Sequence, residues 1–181
     1  MEGKKLLVLS DSHGGVSALK TVFIWANNLI PPEGTICACA FLGDGLSDLY
    51  KAADAAGFFT DWKLVRGNND YNYQTPETSV FDFSGHRFFI CHGHKHSLYG
   101  GHYVLTAAAK NNDADAVLFG HVHVPYNNTA EGVLLVCPGS VARPRNKTGA
   151  TFAVIDCIEG EPLNVEFFGI GEQGAIKKIK I

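Results

Sequence analysis

Short apolar runs that each end in a polar, glycine-flanked cluster recur through this chain, and they restrict its fold more than any other feature. Leu6 to Ser10 ends at Asp11-Ser12-His13-Gly14-Gly15, Ile36 to Leu42 at Gly43-Asp44-Gly45, and Trp62 to Val65 at Gly67-Asn68-Asn69-Asp70. Between them, Leu19, Val22, Phe23, Trp25 and Ala26 recur near helical spacing from Val16 to about Ile30, where Pro31-Pro32 stop them. A second helix is expected around Ser47 to Ala56, ending near Gly57. Strands that alternate with helices in this way are parallel and joined by crossovers, because a tight turn cannot connect two parallel strands.

The second half is richer in strands, expected at Ser79 to Phe83, Phe88 to Cys91, Ala116 to Phe119, Val133 to Val136, Thr151 to Ile155 and Val165 to Phe168. One helix is expected from about His102 to Lys110. Ser84-Gly85-His86 reads as a hairpin turn, and Asn127-Asn128 and Glu159-Gly160-Glu161 read as loops. The tail from Gly174 to Ile181 is expected to fray or to pack as an edge. The whole reads as one α/β domain over residues 1–181, a two-sheet sandwich.

Composition narrows the class of function. The chain is 46% hydrophobic and 18% charged with a net charge of −3, which suits a soluble globular domain and lacks the basic footprint of a phosphate-neutralising surface. No stable nucleic-acid complex and no membrane association are expected. The five cysteines stand singly or as Cys37-Ala38-Cys39, in apolar runs that suggest buried, reduced thiols and a cytoplasmic setting. The opening Met1 to Leu9 reads as a first strand rather than an export signal.

Asp11-x-His13, Gly43-Asp44, Gly67-Asn68, His92-Gly93-His94 and Gly120-His121-x-His123 each follow an expected strand. Beyond the carboxyl ends of strands, such loops can gather distant side chains into one crevice. Carboxylate, carboxamide and imidazole are ligands for divalent transition metals, and thiolate is missing from the set. The seven candidates Asp11, His13, Asp44, Asn68, His92, His121 and His123 exceed one tetrahedral site but suit two ions sharing a carboxylate. Two such ions, two aspartates and a bridging hydroxide leave about one positive charge, which attracts an anion such as phosphate. In-line hydrolysis of a phosphoester follows from that arrangement.

In order and context these motifs resemble the calcineurin-like metallophosphoesterases, over residues 6 to about 145. Cys91-His92-Gly93-His94, Pro138-Gly139-Ser140 and Pro144-Arg145 look most like the small YfcE-type phosphodiesterases, whose compact fold also occurs in a eukaryotic retromer subunit. The resemblance implies a two-sheet α-β-β-α sandwich. It implies one metal held by Asp11, His13, Asp44 and His123 and another by Asp44, Asn68, His92 and His121, with Asp44 bridging. The ions would be manganese, with nickel, cobalt, iron or zinc as alternatives. Many members carry histidine after the metal-binding asparagine, where it protonates the leaving group or steadies the phosphate; this chain has Asn69, which can donate a hydrogen bond but not a proton.

The expected activity is phosphodiester hydrolysis by a metal-bridging hydroxide, on a small phosphoester. Asn69 and His94 are the expected catalytic and phosphate contacts, and Arg145 is a further phosphate contact. Phosphomonoester hydrolysis at the same centre and a non-catalytic scaffold are the alternatives, and family resemblance suggests a homo-oligomer. His86, His96 and His102 read as ordinary hairpin, loop and helix-start residues.

Overall fold

Four consecutive fully buried residues, Leu6, Leu7, Val8 and Leu9, require a strand that is covered on both faces. In the computed structural model, which describes residues 3–29, 34–96 and 102–181, that strand is β1 (Lys4–Leu9), near the centre of a six-stranded sheet. Leu7 and Leu9 face Leu19 and Phe23 of α1 (Val16–Asn27) and Leu49 of α2 (Leu46–Ala56). Leu6 and Val8 face a second sheet.

The first sheet has the order β11-β10-β9-β1-β2-β3, with β2 at Ile36–Phe41, β3 at Asp61–Leu64, β9 at Ala150–Cys157, β10 at Asn164–Ile170 and β11 at Ile176–Ile179. β1, β2 and β3 are parallel, as the strand-helix alternation requires, and β9 and β10 return antiparallel. The second sheet has the order β4-β5-β6-β8-β7, with β4 at Thr78–Phe83, β5 at His86–Cys91, β6 at Ala116–Phe119, β7 at Pro125–Ala130 and β8 at Val133–Pro138. Phe88, Ile90 and Leu118 pack between the sheets, while Phe89, Cys91 and Phe119 pack outward beneath Leu105 and Ala109 of α3 (Tyr103–Lys110). Period-two alternation on both central strands thus builds four layers, α-β-β-α.

Three expectations need correction. Asn127-Asn128 is not a loop but lies within β7, which pairs antiparallel with β8 at the sheet edge, where polar side chains stay in water. Cys37 is exposed although its neighbour on the same strand face, Cys39, is buried, because Cys37 lies nearer the open end of β2. The first helix stops at Asn27, and the Ile30 to Pro32 end expected for it lies outside the described residues. The tail forms β11, an edge strand paired with β10 and guarded by Lys177 and Lys178. No helix among the described residues is long and apolar enough to cross a membrane.

Candidate metal centre

The polar clusters that follow the strands meet at one place because their backbones are stitched together. Asp11 donates its N–H to the Gly43 carbonyl at 3.0 Å, His13 to Asp44 at 3.2 Å, and Gly120 to His92 at 2.9 Å. Glycine is required where these loops touch: a Cβ on Gly67 would strike the Asp44 carboxylate, and one on Gly120 would strike Ser10 Oγ and Asp11 Oδ2.

Backbone strain gathers at the same place. Asp11, His13, Asp44, His121 and His123 all have positive φ, at 57°, 40°, 59°, 70° and 60°. Left-handed geometry costs an L-residue about 1–2 kcal/mol, and Asp and His tolerate it better than most. Such strain persists where the surroundings over-determine it, typically at functional sites.

Polar partners hold these turns. Asp70 accepts four backbone N–H bonds, from Asp44 (2.7 Å), Gly45 (2.9 Å), Leu46 (2.9 Å) and Gly67 (2.8 Å). It thereby joins the loops after β2 and β3 and caps α2, whose own N-cap, Gly45, has no side chain. Asp48 accepts from Ser12 Oγ and the Gly14 N–H, each at 2.7 Å, and fixes the first loop. Ser140 Oγ donates to the Asp11 carbonyl at 2.7 Å and accepts from the Arg143 N–H. Asp70 stands in the quoted motif, yet its role was not legible, because backbone donors leave no mark in sequence.

The result is a convergence of donor atoms. Asp11, His13 and His123 form one group and Asp11, Asp44 and His92 another, each with its ligand atoms within 4.8 Å of one another. Asp11 Oδ1 lies 3.1 Å from His123 Nε2, 3.6 Å from His13 Nε2 and 3.9 Å from His92 Nε2. Asp44 Oδ2 lies 3.6 Å from His13 Nε2 and 3.4 Å from His92 Nε2. Both carboxylates therefore stand between the histidines of the two groups.

These residues fit divalent ions. His92 Nδ1 lies 2.7 Å from the Leu42 carbonyl and His123 Nδ1 2.6 Å from that of Arg143. A carbonyl only accepts, so each neutral ring carries its proton on Nδ1 and turns the Nε2 lone pair into the site. His92 Nε2 and Asp11 Oδ1 are buried with no hydrogen-bond partner, which is costly unless a cation satisfies both.

Burial alone would raise both carboxyls. At Asp44 the neighbouring His92 and the Asn69 donors outweigh it and lower the pKa to about 2. At Asp11 the neighbouring His123 and His13 rings, then His92 and the Ser10 hydroxyl, outweigh it and hold the group well below the usual carboxylate range. Two ionised carboxylates therefore face several imidazole lone pairs.

The remaining candidates sit around this cluster. The His121 ring is 5.2 Å from that of His92, and the His94 ring is 5.5 Å from His92 and 6.3 Å from His121. Burial, then the neighbouring His92, pushes the pKa of His94 and of His121 down. Asn68 is exposed. Asn69 is turned onto Asp44, donating from its backbone N–H to Oδ1 at 2.7 Å and from Nδ2 to Oδ2 at 2.6 Å. Arg145 is exposed and reaches back to the His121 carbonyl at 3.4 Å. His102 stacks on Tyr126 at 4.4 Å, and His86 Nε2 lies 3.1 Å from the Ile158 carbonyl; neither enters the cluster.

Comparison with known proteins agrees with this geometry. The profile of the calcineurin-like phosphoesterase superfamily domain matches residues 5–160. A Mycoplasma pneumoniae protein named "Probable metallophosphoesterase" is 32% identical over 145 residues, covering 78% of this chain and 82% of its own. Two crystal structures share the fold. A Streptococcus pneumoniae protein described as a "predicted phosphoesterase" superposes with a TM-score of 0.76 at 23% identity, covering 99% of this chain and 98% of its own. Vps29 of Entamoeba histolytica complexed with Zn²⁺ superposes with a TM-score of 0.74 at 18% identity, covering 98% of each chain.

Proposed function

This chain belongs to the calcineurin-like phosphoesterase superfamily, and on that premise we propose that it is a phosphodiesterase acting on small phosphoesters with two divalent ions, manganese or a neighbouring transition metal. The observation that carries this reading is the pair of buried, unpartnered atoms, Asp11 Oδ1 and His92 Nε2, at the meeting point of five acidic and imidazole side chains. Asp11, His13, Asp44 and His123 would hold one ion and Asp44, Asn68, His92 and His121 the other. Bound there, the ions supply Lewis acidity to phosphoryl oxygens and lower the pKa of water enough to provide a nucleophile near neutral pH. Backbone carbonyls hold the His92 and His123 rings in the tautomer that leaves Nε2 free, and Asp70 and Asp48 hold the turns that aim the aspartates. His94, beside His92 and His121, would meet an equatorial phosphoryl oxygen, a role its ring's nearness to both supports.

Chelation and re-addition test the centre and the reaction together. The purified chain should bind about two ions when fully loaded and lose all turnover in excess chelator. Manganese, nickel, cobalt or zinc should restore it, with diesters hydrolysed faster than monoesters. Full activity in chelator sinks the proposal. Faster monoester turnover assigns a monoesterase, and two tightly bound ions with no turnover of any ester assign a scaffold.

Asn69 sets a second expectation. Its amide donates to Asp44 and has no proton to give a departing alkoxide. General acid help is worth about 10²–10⁴-fold, and aryl oxides need far less of it. Aryl diesters should therefore greatly outpace alkyl diesters, and Asn69→His should narrow that gap by speeding the alkyl esters more. Rates measured on matched aryl and alkyl diesters at fixed metal and pH decide the matter; equal wild-type rates in a rate-limiting chemical step would show that another group supplies the proton.

A further inference from the structure

Two tyrosines stand almost fully in water beside the metal centre, on a loop that is itself closed. Tyr71 and Tyr73 are 83% and 77% exposed. The loop carrying them starts at Asn69 and Asp70, which bond to the Asp44 turn, and returns where the Arg66 N–H donates to the Pro76 carbonyl at 2.8 Å. Thr75, buried within it, donates its N–H to the Asn72 carbonyl at 3.2 Å.

Single exposed aromatics are common and need no function. Tyr73 differs because a cation is fixed over its ring. The Arg66 guanidinium lies 5.0 Å from the ring centroid and donates from Nη2 to Glu77 Oε1 at 2.8 Å. Lys95 Nζ donates to both oxygens of Glu77, at 2.8 and 2.6 Å, and Lys95 is the neighbour of His94. One side of the ring is thus backed by a guanidinium held in an ion pair with Glu77, while most of the ring is open to water. A preorganised ring of this kind stacks on another planar ring with little entropy left to lose. Tyr73 lies four positions along the chain from Asn69, so their Cα atoms are at most about 14 Å apart. That limit, and the Arg66–Glu77–Lys95 contacts that lead from the ring to the neighbour of His94, put the platform on the scale of an extended mononucleotide from the centre.

We propose that the Arg66-backed Tyr73 ring is a stacking platform that selects phosphoesters carrying a planar aromatic ring, a nucleobase or a simple aryl group. The proposal rests on the phosphoester reading of the adjacent centre. It also accords with Asn69, since aryl oxides depart without a proton donor.

Phosphonates, whose C–P bond resists hydrolysis, test binding apart from turnover. The metal-loaded chain is titrated calorimetrically with methylphosphonate, phenylphosphonate and the methylenephosphonate analogue of adenosine monophosphate. Stacking should make the two aromatic ligands bind roughly 5- to 100-fold more tightly than methylphosphonate. Tyr73→Leu should erase most of that advantage and Tyr71→Leu/Tyr73→Leu all of it, with methylphosphonate affinity unchanged in both. A tighter adenosine ligand assigns nucleotides, and equal aromatic affinities assign aryl esters in general. Equal affinities for all three ligands in the wild type, or an aromatic preference that survives the double substitution, overturns the platform. Chelator-sensitive turnover reports separately on the hydrolase reading. If turnover is absent while the aromatic preference holds, only that reading falls; if turnover is present with no aromatic preference, only the platform falls.

Discussion

Replacing Asp44 by alanine is expected to lower kcat/KM about 10³-fold or more for every phosphoester and to prevent the chain from holding two ions. Asp44 Oδ2 faces His13 on one side and His92 on the other, so its loss removes a negative charge from both proposed ion positions. One unit charge pair at about 4 Å and an effective dielectric of about 20 is worth about 4 kcal/mol, or about three powers of ten. The metal-free variant should remain folded, because Asn69, whose donors lose their partner, is an exposed residue that water can reach. Scanning calorimetry separates the two effects. Metal at about 100 times its Kd stabilises a one-site protein by about 2.7 kcal/mol, which is about 5–11 °C in Tm for a domain of this size. Wild type should show that rise and Asp44→Ala should not. His13→Ala should weaken mainly one ion. If Asp44→Ala still binds two ions normally, the bridge passes to Asp11, whose Oδ1 lies within reach of the same histidines.

Asp70→Asn should cost about 3 kcal/mol of stability and weaken metal binding about 10- to 100-fold. The carboxylate accepts four N–H bonds, whereas an amide offers one accepting oxygen and turns an NH₂ group against the other donors. Losing about two charge-assisted bonds of about 1.5 kcal/mol each gives that figure, a fall of about 6–12 °C in Tm. The same change releases the turn that aims Asp44, so metal affinity falls although Asp70 is not among the proposed ligands. A lower Tm with unchanged metal affinity, measured well below the transition, would make Asp70 a purely structural residue.

Much of the architecture was legible because burial follows a period that sequence displays. Leu6 to Leu9 and Phe88 to Cys91 are apolar on both faces, which marks strands inside a layered sheet. The convergence of five of the seven candidates was legible for a related reason: strand ends next to glycine are where an α/β sheet presents side chains, and Asp11, His13, Asp44, His92 and His123 do meet, whereas Asn68 and His121 fall outside the two groups. β7 was not legible, because an edge strand needs no apolar face, and its Asn127-Asn128 pair carries turn chemistry that the pairing with β8 overrides. Cys37 was misplaced because alternation says which face a residue shares, not how far along the strand the covering helices extend.

The amino-acid sequence by itself determined the alternation of strands and helices, the parallel start of the first sheet and the chemical types at the strand ends, since these depend on local periodicity and residue identity. Only the tertiary structure decided which atoms meet. Asp70 gathers N–H groups from Asp44, Gly45, Leu46 and Gly67, carbonyls of Leu42 and Arg143 set the tautomers of His92 and His123, and Asn69 turns its amide onto Asp44. Arg66 is fixed over Tyr73 in the same way, by Glu77 eleven residues along the chain. Each depends on a backbone group or side chain brought from elsewhere in the fold, and hydrogen bonds act only over about 3 Å. Such contacts exist once packing has placed the loops, so no periodicity or composition could announce them.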